Sequence, residues 1–311
     1  MKNTLFKVAY IGTDFYGFQR QLNHRTVEGE IIKTLKSLKL IDNPKDAHFR
    51  IGGRTDKGVH SLGNTFSFMS EKEIYINQIN DQLPDDIDII ARAPVRYGFK
   101  PRYAEMRHYK YFFNKNNNLN IDSQSIEKLE KLAKLFEGTY DFSNFTKKNP
   151  KTPVRTINKI NLNFNNKNGD DNRVNDSVND SVNDFVNDFN FNKFDNIFNN
   201  DLILTVDIYG ESFLWNMVRK MMKVFKDVAN GDMDLCDVEK LFNSENKVVI
   251  KPLDPENLIL MDIKYHNIKF QYDDYAIEKF RRSLKEYMDD YQNKYNVTNT
   301  VLDLFNGLNF N

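Results

Sequence analysis

Cysteine is nearly missing from this chain: Cys236 is the only one in 311 residues. Internal disulfides and cysteine-rich metal sites are thereby excluded, and a reducing, cytoplasmic setting is expected. Five histidines are scattered without metal-ligand spacing, so no metal is expected. No apolar run approaches the ~20 residues that cross a bilayer, so no membrane partner is expected. The first residues pass straight into a strand-like stretch at 5–11, and no leader segment is expected. Net charge is missing too, because 44 Lys+Arg balance 44 Asp+Glu. The balance is uneven along the chain. Residues 1–110 carry 18 basic and 13 acidic side chains, whereas residues 165–201 carry 3 and 8. An acidic segment masks a basic first third.

What remains is enough for a large core. Hydrophobic residues make up 40% of the chain, and this length suits one or two domains. Period-two alternation predicts strands at 5–11 and 156–164, and the stretches 47–53, 63–69, 89–95, 109–114, 202–208 and 258–265 also read as strands. Helical spacing predicts helices at 26–39, 74–83, 213–229 and 234–242, and another from Asp122 or Ser123 to a stop at Gly138. Ile277, Phe280, Leu284, Tyr287 and Tyr291 predict a last, amphipathic helix that covers the core or a subunit partner. Strands and helices alternate in two similar rhythms. The expected fold is α+β, two similar units sharing a mostly antiparallel sheet with a cleft between them. The expected divisions are 1–105, 106–270 and a helical tail at 271–311. Between 165 and 200 the chain becomes Asn/Asp-rich, with Val-Asn-Asp repeating every four residues. An acidic, mobile insert between two strands is expected there.

One stretch concentrates chemistry. Gly52-Gly53-Arg54-Thr55-Asp56-Lys57-Gly58-Val59-His60 holds three glycines, a carboxylate, two cations and an imidazole. Glycines between strands permit positive φ and close approach of another molecule. Arg54, two residues before Asp56, is a candidate to hold that carboxylate ionised. An ionised carboxylate on such a loop suits a nucleophile or base. A surface turn with a local ion pair fits the same residues.

The order of residues is more specific than their chemistry. Gly53 to His60 resembles the GRTD-x-GVH signature of the TruA family of tRNA pseudouridine synthases. Further matches follow in family order. Tyr10 to Gln21 resembles Y-D-G-x-x-Y-x-G-[WF]-Q-x-Q, and Arg25-Thr26-Val27-Glu28 resembles the opening of the first helix. Leu83 to Ile87 resembles L-P-x-D-I, and Arg107 to Tyr111 resembles the R-x-Y-x-Y strand. Gly138 to Phe145, Thr152 to Ile157 and Ser212 to Arg219 resemble later family segments. The chain departs from the pattern at Tyr140, where the family usually has histidine, and in the 165–200 insert.

The resemblance implies an isomerase that breaks the bond from ribose C1′ to uracil N1 and remakes it to C5. That reaction has no net redox change, so no cofactor is expected. The base must first leave its stack. Asp56 is the implied catalytic carboxylate, by attack on C1′, attack on C6, or deprotonation at C2′ to a glycal. Arg219 is implied to ion-pair with Asp56, and Tyr109 to stack on the uracil and move a proton at C5. Arg54 is implied to fill the space left by the flipped base or to contact a phosphate. Gln19, Arg20, Gln21, Arg25, Arg102 and Arg107 are candidates for positioning RNA, with Lys57 and Lys100 beside them. Thr55 and His60 are expected to shape the loop. The family also implies a tRNA substrate modified at positions 38 to 40 of the anticodon stem-loop, and a homodimer in which one tRNA touches both subunits. Two rivals are an aspartate-dependent hydrolase using Asp56 and Arg54, and a non-catalytic RNA-binding protein.

Overall fold

The computed structural model describes residues 1–147, 152–164, 202–243, 245 and 247–306. The insert expected at 165–200 lies outside them.

Ten strands among these residues form one sheet. In chain order they are β1 (Lys2–Tyr10), β2 (Arg50–Ile51), β3 (His60–Ser70), β4 (Ile87–Pro94), β5 (Met106–Asn114), β6 (Gly138–Asp141), β7 (Val154–Phe164), β8 (Leu202–Gly210), β9 (Leu258–Lys264) and β10 (Gln271–Tyr272). Their spatial order is β10-β4-β1-β3-β9-β5-β8-β7-β6, with β2 beside β3. Every described pair is antiparallel except β3 and β9, where His60 faces Ile259 and Ser61 faces Leu260. That parallel seam joins the two halves of the sheet. The glycine-rich loop enters β3 at its edge, so the loop sits where the halves meet. The α+β, mostly antiparallel reading of the sequence holds.

Helix α1 (Val27–Ser37) forms because Val27, Ile31 and Leu35 share one face and Thr26 caps its start, accepting from the Gly29 amide at 3.2 Å. It packs with the short α2 (Ile76–Asn80) on Phe6, Val8 and Tyr10 of β1. On the other face, Ala9 of β1 and Ile11 just beyond it meet Phe280. Phe280 belongs to the last helix, which runs Asp274–Asn306. Burial on both faces explains why β1 is buried from Leu5 onward, and not alternately as its sequence pattern predicts.

In the second half, α3 (Ser123–Phe136) starts in a capping box between Asp122 and Ser125. Gly138 follows it with φ +125, a conformation that L side chains rarely adopt. Leu129, Leu132 and Phe136 pack on Tyr111 and Phe113 of β5 and on Phe225 of α4 (Met217–Ala229). Each large apolar side chain buried there contributes about 1.5–3 kcal/mol. Tyr140 lies against Phe242, ring centroids 4.6 Å apart, at the margin of this core. Cys236 is exposed on the short α5 (Leu235–Lys240).

Three expected elements are shorter. Only Arg50–Ile51 of the 47–53 stretch pairs as strand, because Gly52 and Gly53 turn away into the loop. The helix expected at 74–83 is confined to Ile76–Asn80. The helix expected from 213 begins at Met217, because Asn216 adopts φ 62 and turns the chain just before it. The last helix packs through Ala276, Phe280 and Ser283, with Ile277 and Tyr287 beside them. Leu284 and Tyr291, expected on the same face, are exposed.

Candidate active site

The loop from Gly52 to Val59 is held by a second loop, 11–21, laid across it. The Phe18 amide donates to the Thr55 carbonyl at 3.2 Å, and the Gly58 amide donates to the Phe15 carbonyl at 3.2 Å. The two backbones touch at Gly12, where an added Cβ would lie 2.1 Å from the Val59 oxygen. Thr55 is fixed by a 2.8 Å hydrogen bond with the Tyr10 hydroxyl. Asn64 donates to that same hydroxyl at 3.1 Å and to the Gly53 carbonyl at 3.3 Å. His60 Nδ1 accepts from the Gly12 amide at 3.0 Å. Burial pushes the His60 imidazole below its ordinary value, which suits a neutral acceptor. Thr55 and His60 therefore shape the loop, and Asp56 is presented at its tip.

Asp56 is largely buried, and Arg219 Nη1 lies 3.3 Å from its Oδ2. Arg219 is itself aimed by two further bonds. Its Nε donates to the Leu253 carbonyl at 2.7 Å, and its Nη1 donates to Asn216 Oδ1 at 3.2 Å. The cation beside Asp56 is thus supplied by α4, not by Arg54, which is exposed. Burial pushes the Asp56 carboxyl above the ordinary carboxylate value. The Arg219 charge and hydrogen bonds from Arg219 and Trp215 pull the other way.

Tyr109 stands on β5, with its ring edge-on to Phe213 at 5.0 Å between centroids. Burial pushes its phenol up to about 12; the Arg107 charge opposes this shift and the Asp56 charge adds to it. The hydroxyl is therefore protonated at neutral pH. Asp56, Arg219 and Tyr109 line one open cavity of about 1700 Å³. Its rim carries aromatic rings with cations over them. Lys57 Nζ lies 4.1 Å from the Tyr16 ring centroid, Arg102 lies 4.5 Å from Tyr103, and Lys147 lies 5.9 Å from Trp215. Tyr16, Tyr103 and Trp215 are all exposed. Exposed rings with neighbouring cations form a surface suited to stacked bases and phosphates.

Comparisons with known proteins place the chain in a family. A family model described as tRNA pseudouridine synthase matches residues 132–266. The chain is 50% identical over 305 residues to tRNA pseudouridine synthase A of Methanobrevibacter smithii, covering 97% of each chain. The protein of the same name from Methanothermobacter thermautotrophicus is 38% identical over 304 residues, 97% of this chain and 96% of that one. The one from Methanosphaera stadtmanae is 38% identical over 303 residues, 94% and 96%. The chain belongs to the tRNA pseudouridine synthase A family. It is an enzyme, an isomerase, by that membership.

Within this family member, the residues expected to meet RNA divide into two groups. Gln19, Arg20, Gln21, Arg54, Lys57, Lys100 and Arg102 line the cavity. Arg25 does not. Its guanidinium pairs with both Asp86 oxygens, at 2.7 and 2.9 Å, and lies 4.1 Å from the Phe15 ring centroid. Arg107 lines the cavity but is buried, and its donors are committed to the carbonyls of Gly52, Arg102 and Glu211. It ties the glycine loop to β5 and leaves no fork for a phosphate.

Sequence reasoning missed Trp215, Tyr16, Tyr103, Lys147 and Arg155 as lining residues. Trp215 was legible in principle, because the sole tryptophan of the chain sits inside the matched Ser212–Arg219 segment. Among the described residues, no group of three or more His, Cys, Asp or Glu could hold a metal ion. No described helix is long and apolar enough to cross a membrane.

Proposed function

We propose that this chain isomerises uridine to pseudouridine in the anticodon stem-loop of tRNA, at positions 38 to 40, with Asp56 as the catalytic carboxylate. The observation that carries this reading is the grouping in one cavity of Asp56, on the loop that bears the family signature, with Arg219 of α4 and Tyr109 of β5.

The reaction breaks C1′–N1, forms C1′–C5, moves a proton to N1 and releases the C5 proton. The substrate uridine enters the cavity flipped out of its stack, at a cost of a few kcal/mol. Tyr109 stacks on it, a contact worth about 1–3 kcal/mol. Arg219 keeps Asp56 ionised against burial, so that it attacks C1′ or C6 or removes the C2′ proton. The phenol of Tyr109 lines the same cavity and relays the C5 proton, giving up its own proton as it takes the one released from C5. Arg54, exposed at the mouth, occupies the gap in the stem or meets a phosphate. Gln19, Arg20, Gln21, Lys57, Lys100 and Arg102 hold the backbone. Arg25 and Arg107 act one step back, by bracing the loops that present these groups. The family reading also carries a homodimer working in the cytoplasm, with one tRNA touching both subunits.

Pseudouridine mapping on an unmodified tRNA transcript incubated with the protein tests the site. Modification confined to positions 38 to 40 is expected. Modification elsewhere would replace the anticodon reading while keeping the reaction.

A further inference from the structure

The turn that leads into α4 touches all three residues grouped in the cavity. Phe213 meets the Tyr109 ring edge-on, with 5.0 Å between centroids. Trp215 donates a hydrogen bond to Asp56. Asn216 Oδ1 accepts from Arg219 Nη1 at 3.2 Å. The turn itself is firmly set. Gly210 makes room for Phe213, since an added Cβ would lie 3.0 Å from its ring. The Met217 amide donates to the Leu214 carbonyl at 3.0 Å. Asn216 is buried, with φ 62 and ψ 6. Asparagine, aspartate and glycine enter that left-handed region most readily.

The bonds of Arg219 show what Asn216 adds to the turn. Nη1 carries two N–H groups, and two acceptors lie within reach, Asn216 Oδ1 at 3.2 Å and Asp56 Oδ2 at 3.3 Å. Nε donates to the Leu253 carbonyl at 2.7 Å. A guanidinium is a rigid planar fork, so anchoring it at Nε and at one Nη1 hydrogen fixes where the other hydrogen points. Both anchors are neutral carbonyl oxygens. They orient the cation and leave its charge to the salt bridge with Asp56. The titratable groups around the pair do not compete for it. Tyr109 and Tyr111 on β5 have phenols pushed up to about 12 by burial and stay protonated, and Asp254 lies on the Tyr111 side. Arg54 and Lys57 flank Asp56 on its own loop.

We propose that Asn216 is a positioning residue for Asp56, acting through Arg219: its neutral side-chain carbonyl aims the guanidinium at the carboxylate without drawing on the charge. The consequence for the reaction rests on the reading of Asp56 as the catalytic carboxylate. Backbone shape and side-chain acceptor are separable here. Glycine would keep the turn and lose the acceptor. Aspartate would keep both, but it would set a second carboxylate on Arg219 and near Asp56.

Kinetics of Asn216→Gly and Asn216→Asp, with thermal melts beside them, test the assignment. In Asn216→Gly, kcat is expected to fall about tenfold with KM little changed. Asn216→Asp is expected to recover most of that loss at high pH, with the acid limb moved up by about 1 pH unit. Trp215, the sole tryptophan, supplies a readout that needs no turnover. Its emission against pH, referred to that of Asp56→Asn, follows the Asp56 carboxyl. The midpoint is expected to rise in Asn216→Asp by as much as the acid limb. A midpoint that stays at the wild-type value in Asn216→Asp overturns the proposal, and so does a wild-type kcat in Asn216→Gly. A midpoint that rises while the acid limb stays in place supports the hold of Asn216 on the pair, and overturns instead the reading of Asp56 as the catalytic carboxylate.

Discussion

Arg219 Nη1 lies 3.3 Å from Asp56 Oδ2 across 163 residues of sequence. The pair joins the loop before β3 to the first turn of α4, so each half of the sheet supplies one member. Burial raises the Asp56 carboxyl and the guanidinium opposes that rise.

The first prediction follows from the sign of those two effects. In Arg219→Met the opposing charge is gone, and the carboxyl rises further. Ionised Asp56 is then lost at higher pH. The acid limb of kcat/KM moves up by about 1–3 pH units, and activity recovers in part as pH is raised. A pH–rate profile reads this directly. An acid limb that stays in place would mean that Arg219 does not tune Asp56.

Tyr109 carries two separable roles, a ring and a hydroxyl. Tyr109→Phe keeps the ring, and kcat falls about 10²-fold or more if the phenol moves the C5 proton, with KM little changed. Tyr109→Ala also loses stacking worth about 1–3 kcal/mol, which appears in KM. Steady-state kinetics on both variants separates the roles. A Tyr109→Phe enzyme with wild-type kcat removes the hydroxyl from the chemistry.

Gly12 marks where the two loops touch. A Cβ there falls 2.1 Å from the Val59 oxygen, against backbone that cannot swing aside. Gly12→Ala is expected to cost about 1–3 kcal/mol of stability and to displace the loop that presents Asp56. Gly98→Ala is the comparison, because it has open space and a φ of +79. It costs about 1 kcal/mol and leaves activity intact. Equal activity in the two variants would show that the clasp does not position Asp56.

Arginines of similar appearance in sequence are expected to behave differently in binding. Arg102 lines the cavity, whereas Arg25 is spent on Asp86. Arg102→Ala lowers the slope of log K against log salt for tRNA by about 0.7–0.9. Arg25→Ala leaves the slope unchanged and lowers the melting temperature, because Asp86 is buried and loses its partner. Salt titrations of tRNA affinity, with thermal melts, check both. A reduced slope for Arg25→Ala would place that residue on the RNA.

Much of this arrangement was legible in the chain. Val27, Ile31 and Leu35 announced α1, and the ordered motifs brought Asp56, Tyr109 and Arg219 onto one list before any geometry was known. The parts that were not legible depend on neighbours that sequence does not display. Residue chemistry alone pointed to Arg54 as the partner of Asp56, because it is close in the chain, whereas the ordered motifs pointed to Arg219, which lies 3.3 Å from it. Arg25 and Arg107 looked like phosphate ligands because charge reads the same whether it faces solvent or a buried carbonyl. The Tyr103 and Trp215 rings carry no signal in the sequence that sets them apart from other aromatics, and only the fold shows them exposed beside cations. The apolar row of the last helix read as one face, and only the packed body shows that Leu284 and Tyr291 are left exposed.

The most direct test of the account uses tRNA carrying tritium at uracil C5, incubated with the wild type and with Asp56→Asn. Loss of the C5–hydrogen bond is inseparable from pseudouridine formation. Asp56→Asn also removes a carboxylate whose value is raised by burial. An ionised group of that kind costs the fold stability at neutral pH, and the cost fades as pH falls through the raised value. The variant also leaves Arg219 without its carboxylate, so a thermal melt at pH 7 is run beside the assay to establish that the variant is folded. The account predicts tritium release by the wild type and none by the folded variant. Release by both would contradict it, by showing the reaction to proceed without the Asp56 carboxylate.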